Sequence, residues 1–155
     1  VYNQANMILV VLDNSTTAMT GHQPHPGTGR TVMGEIVQKI NIEQVLRGIG
    51  VTEIETINPL ELEASVSCVK RMAEKSGVRA IIFKAPCIAV TKPKAPLHVD
   101  QDSCIGCKKC IRDLGCPAIV MNDGKICIDA SMCTGCHLCS QVCPVCAIAG
   151  GDDHE

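Results

Sequence analysis

The feature that most limits what this chain can fold into is a repeat of cysteines. "CIGCKKCIRDLGCP" supplies Cys104, Cys107, Cys110 and Cys116, and "CTGCHLCSQVCP" supplies Cys133, Cys136, Cys139 and Cys143. Each copy closes on Cys-Pro, and Ala118-Ile119 and Ala147-Ile148 follow in turn, so this is an internal repeat. Three cysteines spaced by two residues let a short turn wrap one corner of an iron–sulfur cubane. The fourth, before Pro, sits across the fold and ligates the other cluster. The spacing therefore assigns Cys104, Cys107, Cys110 and Cys143 to one [4Fe–4S] cluster, and Cys133, Cys136, Cys139 and Cys116 to a second.

Ten of the twelve cysteines lie in residues 98–155, which also carry eight Asp/Glu against four Lys/Arg. With no secretory signal visible, such tight clustering reads as metal ligation in the cytoplasm rather than as disulfides. Structural zinc also uses Cys-x-x-Cys pairs, but it takes four ligands in two pairs. Here each copy adds a third evenly spaced Cys and a Cys-Pro. The region resembles the two-cluster bacterial ferredoxins, with one departure: five residues, not three, separate Cys110 from Cys116. Between the copies, "AIVMNDGKICI" has Asn-Asp-Gly between two β-rich runs, a hairpin signal. A segment of about 50 residues buries little core, so the clusters are expected to staple it and the apo form to unfold. Cys68 and Cys87 read as structural. Cys127 and Cys146 are close enough in sequence to the ligands to act as substitutes.

The rest reads as α/β. "MILVVL" over Met7–Leu12 is the unbroken apolar run of a parallel strand covered on both faces. A helix is expected over Ile42–Ile49, closed by Gly50, and "VTEIETIN" gives a second strand. Asn58 is placed to cap a helix from Pro59 to Lys75, and "VRAIIFKA" gives a third strand. Three strands make a short parallel sheet with bare edges. "VYNQAN" reads like the end of a helix entering a strand, and Val1 is not a Met, so the missing strands are expected upstream. The fold class is thus an α/β partial parallel sheet (residues 1–90), a linker with two prolines (91–97), a small α+β two-[4Fe–4S] ferredoxin-like domain (98–150) and an acidic tail (151–155). A formal net charge of -2 gives no sign of a nucleic-acid partner. No apolar run approaches the roughly 18 residues of a membrane span.

In open parallel sheets, ligands sit at the carboxyl ends of strands. The loop there, "DNSTTAMTGHQPHPG", carries amides, hydroxyls and imidazoles, with Asp13 its one formal charge. Its oxygens suit a hard cation such as Mg²⁺, and its N–H groups suit phosphate. A solvated loop of capping residues is the plainer reading of the same composition.

With this loop followed by the cysteine repeat, the chain resembles the 2-oxoacid:ferredoxin oxidoreductases, closest to the large (alpha) subunit of the indolepyruvate type. The resemblance runs through cofactor loop, α/β remainder, linker and ferredoxin tail. It implies thiamine diphosphate and Mg²⁺, with Asn14 and the carbonyl of Thr16 as Mg²⁺ ligands beside Asp13. Thr20, Gly21, His22 and Gln23 would line the diphosphate and the thiazolium end. The family's Gly-Asp-Gly half-motif does not occur in this sequence, so the loop is half of a cradle and alone is expected to bind thiamine diphosphate weakly. The resemblance further implies a beta subunit, oxidative decarboxylation of an arylpyruvate, transfer of the acyl group to coenzyme A, ferredoxin as electron acceptor and an anaerobic source. Two other readings stay open on the residues: a stand-alone two-cluster electron carrier, and an oxidoreductase for another 2-oxoacid.

Overall fold

Three parallel strands with a helix on either face organise the first unit of the computed structural model, which describes residues 1–150. Strands β1 (Met7–Asp13), β2 (Glu53–Ile57) and β3 (Val78–Lys84) pair in the order β1-β3-β2. Helices α1 (Ile42–Gly48) and α2 (Leu62–Glu74) are the crossovers. The period of two along β3 divides the core. Ala80 and Ile82 pack with Leu46 and Val51 on the α1 side, while Ile81 packs with Cys68 and Met72 on the α2 side. Cys68 is fully buried there, and burial pushes its thiol pKa up; it is a core residue.

Among the described residues β3 is the most deeply buried strand, with Arg79, Ala80, Ile81 and Ile82 all buried. The apolar run of β1 lies at the sheet edge, with Met7, Leu9, Val10 and Leu12 exposed, Leu12 at 75%. The difference from the sequence reading has a simple cause: an apolar strand needs a neighbour on each side and a layer on each face, and the described residues supply β1 with one neighbour. Residues 1–4 form a single turn, Gln4 N–H donating to the Val1 carbonyl at 2.9 Å.

α1 begins on an unforeseen cap, Asn41, whose side-chain oxygen accepts from Gln44 N–H at 3.1 Å. α2 starts later than Pro59. Asn58 turns its side chain to Leu60 N–H (3.1 Å) and its carbonyl to Glu61 N–H and the Ser65 hydroxyl, so it builds a turn instead of a cap. Gly77, at φ +85°, lets the chain reverse from α2 into β3.

Arg71 on α2 reaches the Glu55 carboxylate on β2 at 2.6 Å, and this hydrogen bond holds the carboxyl below the ordinary carboxylate range. The folded-state pKa lies below the unfolded one. The contribution is therefore present above the unfolded pKa and lost as pH falls through the folded value. Arg71→Ala is expected to destabilise the protein slightly at neutral pH, as for an exposed ion pair, and to have no effect in acid. Urea unfolding at the two pH values checks this; an equal cost at both would refute it.

The second unit begins at Lys92. Its strands are β4 (Leu97–Val99), β5 (Ile119–Asn122), β6 (Lys125–Ile128) and β7 (Ile148–Gly150), with helices α3 (Lys109–Leu114) and α4 (Leu138–Val142). β4 pairs antiparallel with β7 and β5 with β6. The hairpin expected at Asn-Asp-Gly forms, with Asp123 at φ +48° and Gly124 at φ +79°, the left-handed pair a two-residue turn requires. The linker expected over 91–97 ends earlier: Leu97 is buried at the start of β4, and Lys94 N–H donates to the Thr134 carbonyl at 3.3 Å. The two prolines stiffen a segment that packs. The acidic tail lies outside the described residues.

Candidate functional site

Two sets of residues carry chemistry, one in each unit. The first lies at the carboxyl end of β1. The β1–β3 ladder continues past the strand, with Ala85 N–H on the Asp13 carbonyl (3.1 Å) and Cys87 N–H on the Asn14 carbonyl (2.9 Å). This anchors the loop root. Asp13 then accepts Ser15 N–H at 3.0 Å, and Asn14 accepts Thr16 N–H at 3.2 Å. The Thr16 hydroxyl meets His22 Nδ1 at 3.1 Å, while Thr20 donates to Gln23 Oε1 at 2.7 Å and Thr17 to the Gln23 carbonyl at 2.7 Å. Ser15 (φ +61°), Gly21 (φ +100°) and His22 (φ +62°) hold left-handed backbone, so the loop is tightly specified.

Six of the seven expected loop residues, Asp13, Asn14, Thr16, Thr20, His22 and Gln23, make hydrogen bonds within this loop, and Gly21 supplies a left-handed position between them. The Thr16 carbonyl accepts no hydrogen bond among the described residues, and the Asn14 amide oxygen receives a single donor. Two oxygens thus keep lone pairs for a hard cation, which fits Mg²⁺. Asp13 and Asn14 line a cavity of about 260 Å³ with Pro59, Ser65 and Phe83. A second cavity, about 410 Å³, has Asp13, Ser15, His25, Lys39, Thr56 and Lys84 among its lining. Lys39, Thr56 and Lys84 were missed by motif reading. No local signal marks them: Lys84 comes opposite Asp13 only through the pairing of β1 with β3, its ammonium 3.8 Å from the carboxylate.

The second set is the cysteine repeat, and the two copies share one backbone. Gly106 and Lys108 are left-handed (φ +64° and +59°), as are their counterparts Gly135 and His137 (φ +68° and +60°). Such alternation turns successive N–H groups into a concavity suited to anionic sulfur. Asp100 N–H donates to the Ala147 carbonyl and Asp129 N–H to the Ala118 carbonyl, both at 2.8 Å, so each copy is tied to the other. Asp100 and Asp129 accept from Ser103 and Ser131, which keeps both carboxyls below their usual range.

Cys110 and Cys139 are buried, each 8% exposed. Burial is the main cause raising both thiols, Cys139 to about 11. Charge on neighbouring sulfurs adds to it: Cys107 and Cys143 act on Cys110, and Cys136, Cys133 and Cys116 act on Cys139. Each buried cysteine thus has the Cys-Pro cysteine of the other copy among the charges acting on it. Among the described residues no three His, Cys, Asp or Glu side chains close on a point that would hold a single metal ion. N–H groups already aim at two of these sulfurs, Ala147 to Cys143 (3.2 Å) and Leu97 to Cys133 (3.4 Å). The residues fit iron–sulfur clusters. Cys127 is half-buried in β6, and Cys146 is exposed at φ +51°.

The longer loop before Cys116 also has an explanation. α3 ends on left-handed Gly115 and runs into Cys116, whereas α4 ends directly on Cys143. The second copy has its two additional residues after Cys-Pro instead, so Ala118-Ile119 and Ala147-Ile148 regain the 29-residue offset of the triplets.

Residues 1–83 match the thiamine pyrophosphate enzyme family, through its C-terminal TPP binding domain. The chain belongs to the thiamine pyrophosphate enzymes. In this member of the family, residues 97–144 match a 4Fe-4S dicluster domain. The chain is also similar to indolepyruvate oxidoreductase subunit IorA of Methanothermobacter thermautotrophicus, 44% identical over 150 residues, which are 96% of this chain and 24% of that protein. The same subunit of Archaeoglobus fulgidus is 39% identical (96% and 25% covered), and that of Thermococcus kodakarensis 40% (93% and 24%). The resemblance read from the loop and the cysteine repeat is borne out. The chain spans about a quarter of the length of the curated relatives it matches. No solved structure matches it. No helix among the described residues is long and apolar enough to cross a membrane.

Proposed function

We propose that this chain is part of an indolepyruvate:ferredoxin oxidoreductase alpha subunit, which works in the cytoplasm with a beta subunit. The complete enzyme oxidatively decarboxylates arylpyruvates to arylacetyl-CoA and passes electrons through two [4Fe–4S] clusters to ferredoxin. One observation carries this reading: a thiamine-binding domain and a dicluster domain follow each other in a single short chain. A stand-alone electron carrier has no use for the first.

Thiamine diphosphate supplies the carbanion chemistry at the 2-oxoacid carbonyl. The residues of this chain hold its charged end. The Asn14 amide and the Thr16 carbonyl ligate Mg²⁺, Asp13 keeps the loop root shaped through Ser15, and Thr20, Gly21, His22 and Gln23 line the diphosphate and the thiazolium end. In the second unit, Cys104, Cys107, Cys110 and Cys143 hold one cluster, and Cys133, Cys136, Cys139 and Cys116 the other. That Cys143 is among the charges acting on Cys110, and Cys116 among those acting on Cys139, supports this crossed ligation.

Asn14→Ala in the full-length enzyme tests the reading. The Mg²⁺ and thiamine diphosphate concentrations needed for half-maximal activity are expected to rise at least about tenfold. Arylpyruvate-dependent dye reduction should fall in parallel, with iron content unchanged. Wild-type enzyme that held its clusters but showed no thiamine dependence would favour the electron-carrier reading instead.

A further inference from the structure

We propose that the first cluster loop, residues 104–112, is the surface on which an acidic one-electron carrier protein docks. The proposal rests on the reading of the second unit as an electron relay, and it names the face used. The two cluster loops share a backbone but not an environment. Ile105, Gly106, Cys107, Lys108 and Lys109 are all exposed, Ile105 at 66%. Their counterparts Thr134, Cys136, His137 and Leu138 are half-buried, and Gly135 is buried.

The cause is the segment Lys94–Pro96, which lies over the second loop. A side-chain carbon on Gly135 would come within 2.7 Å of both the Ala95 carbonyl oxygen and Lys94 Cβ, whereas one on Gly106 would meet nothing within 4 Å. One cluster loop is closed off by the chain itself, and the other is left open.

Charge separates the loops in the same sense. Lys108, Lys109 and Arg112 stand where the second copy has His137, Leu138 and Gln141. None of the three cations forms an ion pair among the described residues. The acids nearest in sequence, Asp102 and Asp113, lie outside the cysteine triplet, and Asp100 is engaged by Ser103 and Asp102 N–H. The open loop therefore presents an apolar residue, Ile105, and an exposed cluster ligand, Cys107, beside three cations. A small apolar centre with a charged rim suits a transient electron-transfer contact, where charge sets encounter rate and orientation. The complementary partner carries carboxylates around its own redox centre. The step is one electron from the reduced cluster to the oxidised carrier, with no bond made and no proton moved.

The test uses the full-length enzyme and a purified acidic two-[4Fe–4S] ferredoxin as probe. Carbodiimide coupling, which joins lysine to carboxylate, is expected to link Lys108 or Lys109 to the ferredoxin, as read by mass spectrometry. The variant Lys109→Gln/Arg112→Gln, which leaves residues 104–108 intact, is expected to raise KM for the ferredoxin about tenfold at low ionic strength and to flatten its salt dependence. Reduction of a small viologen dye should stay within about twofold of wild type, since a small dye needs no docking surface. Cross-links confined to other lysines, or an unchanged KM, would overturn the proposal. If arylpyruvate reduced no dye even in wild type, the functional reading would fail, and the cross-link map with dithionite-reduced enzyme would still decide the docking face.

Discussion

Cys116→Ala is expected to abolish the cluster held by Cys133, Cys136 and Cys139, and to leave the one held by Cys104, Cys107 and Cys110. Iron and acid-labile sulfide should fall to about half, because each [4Fe–4S] cluster needs four cysteine ligands. The grounds are that Cys139 lies buried within the electrostatic reach of Cys116, while Cys110 has Cys143 as its corresponding neighbour. Cys139→Ala should therefore give the same residual electron paramagnetic resonance spectrum as Cys116→Ala, and Cys143→Ala the complementary one. If Cys116→Ala matched Cys110→Ala instead, each copy would be closing on its own Cys-Pro, and the crossed ligation would be wrong.

Removing both clusters under anaerobic chelation is expected to unfold residues 97–150 and to spare the sheet of the first unit. The elements of the second unit are short: strands of three or four residues and helices of five or six. Its buried apolar residues apart from cysteine are Leu97, Ala118, Ile119, Ile126, Val142, Ala147 and Ile148, two of them alanines. Such a core does not offset the entropy of ordering this length of chain, so cluster binding supplies the folding free energy. The first unit has its own core around β3 and no cluster ligand. Hydrogen exchange read by mass spectrometry should show the amides of β4–β7 losing protection while those of β3 keep it. Retained protection in β5 and β6 after iron loss would mean that packing, not the clusters, holds the second unit.

What could be read from the sequence alone was whatever depends on short-range spacing. The cysteine triplets, the Asn-Asp-Gly hairpin and the three strands follow from local chemistry that neighbours in the chain settle between themselves. The polar loop after β1 was legible for the same reason: apart from its root, which Ala85 and Cys87 anchor, the side-chain hydrogen bonds from Asp13 to Gln23 run no farther than from Thr16 to His22 or Thr17 to Gln23.

The tertiary structure decided what depends on residues far apart. Composition could not show that Lys94–Pro96 is a cover over Gly135 rather than a free linker, because the evidence is a contact across about forty residues. Nor could it show that β1 is an exposed edge, which depends on how many neighbours the strand finds. The alternation of β3 between α1 and α2, and the meeting of Asp13 with Lys84, required the strand order. The asymmetry between the two cluster loops belongs to the same class. Repeats with near-identical motifs look equivalent on the page, and only a distant segment folded over one of them makes the other the open face.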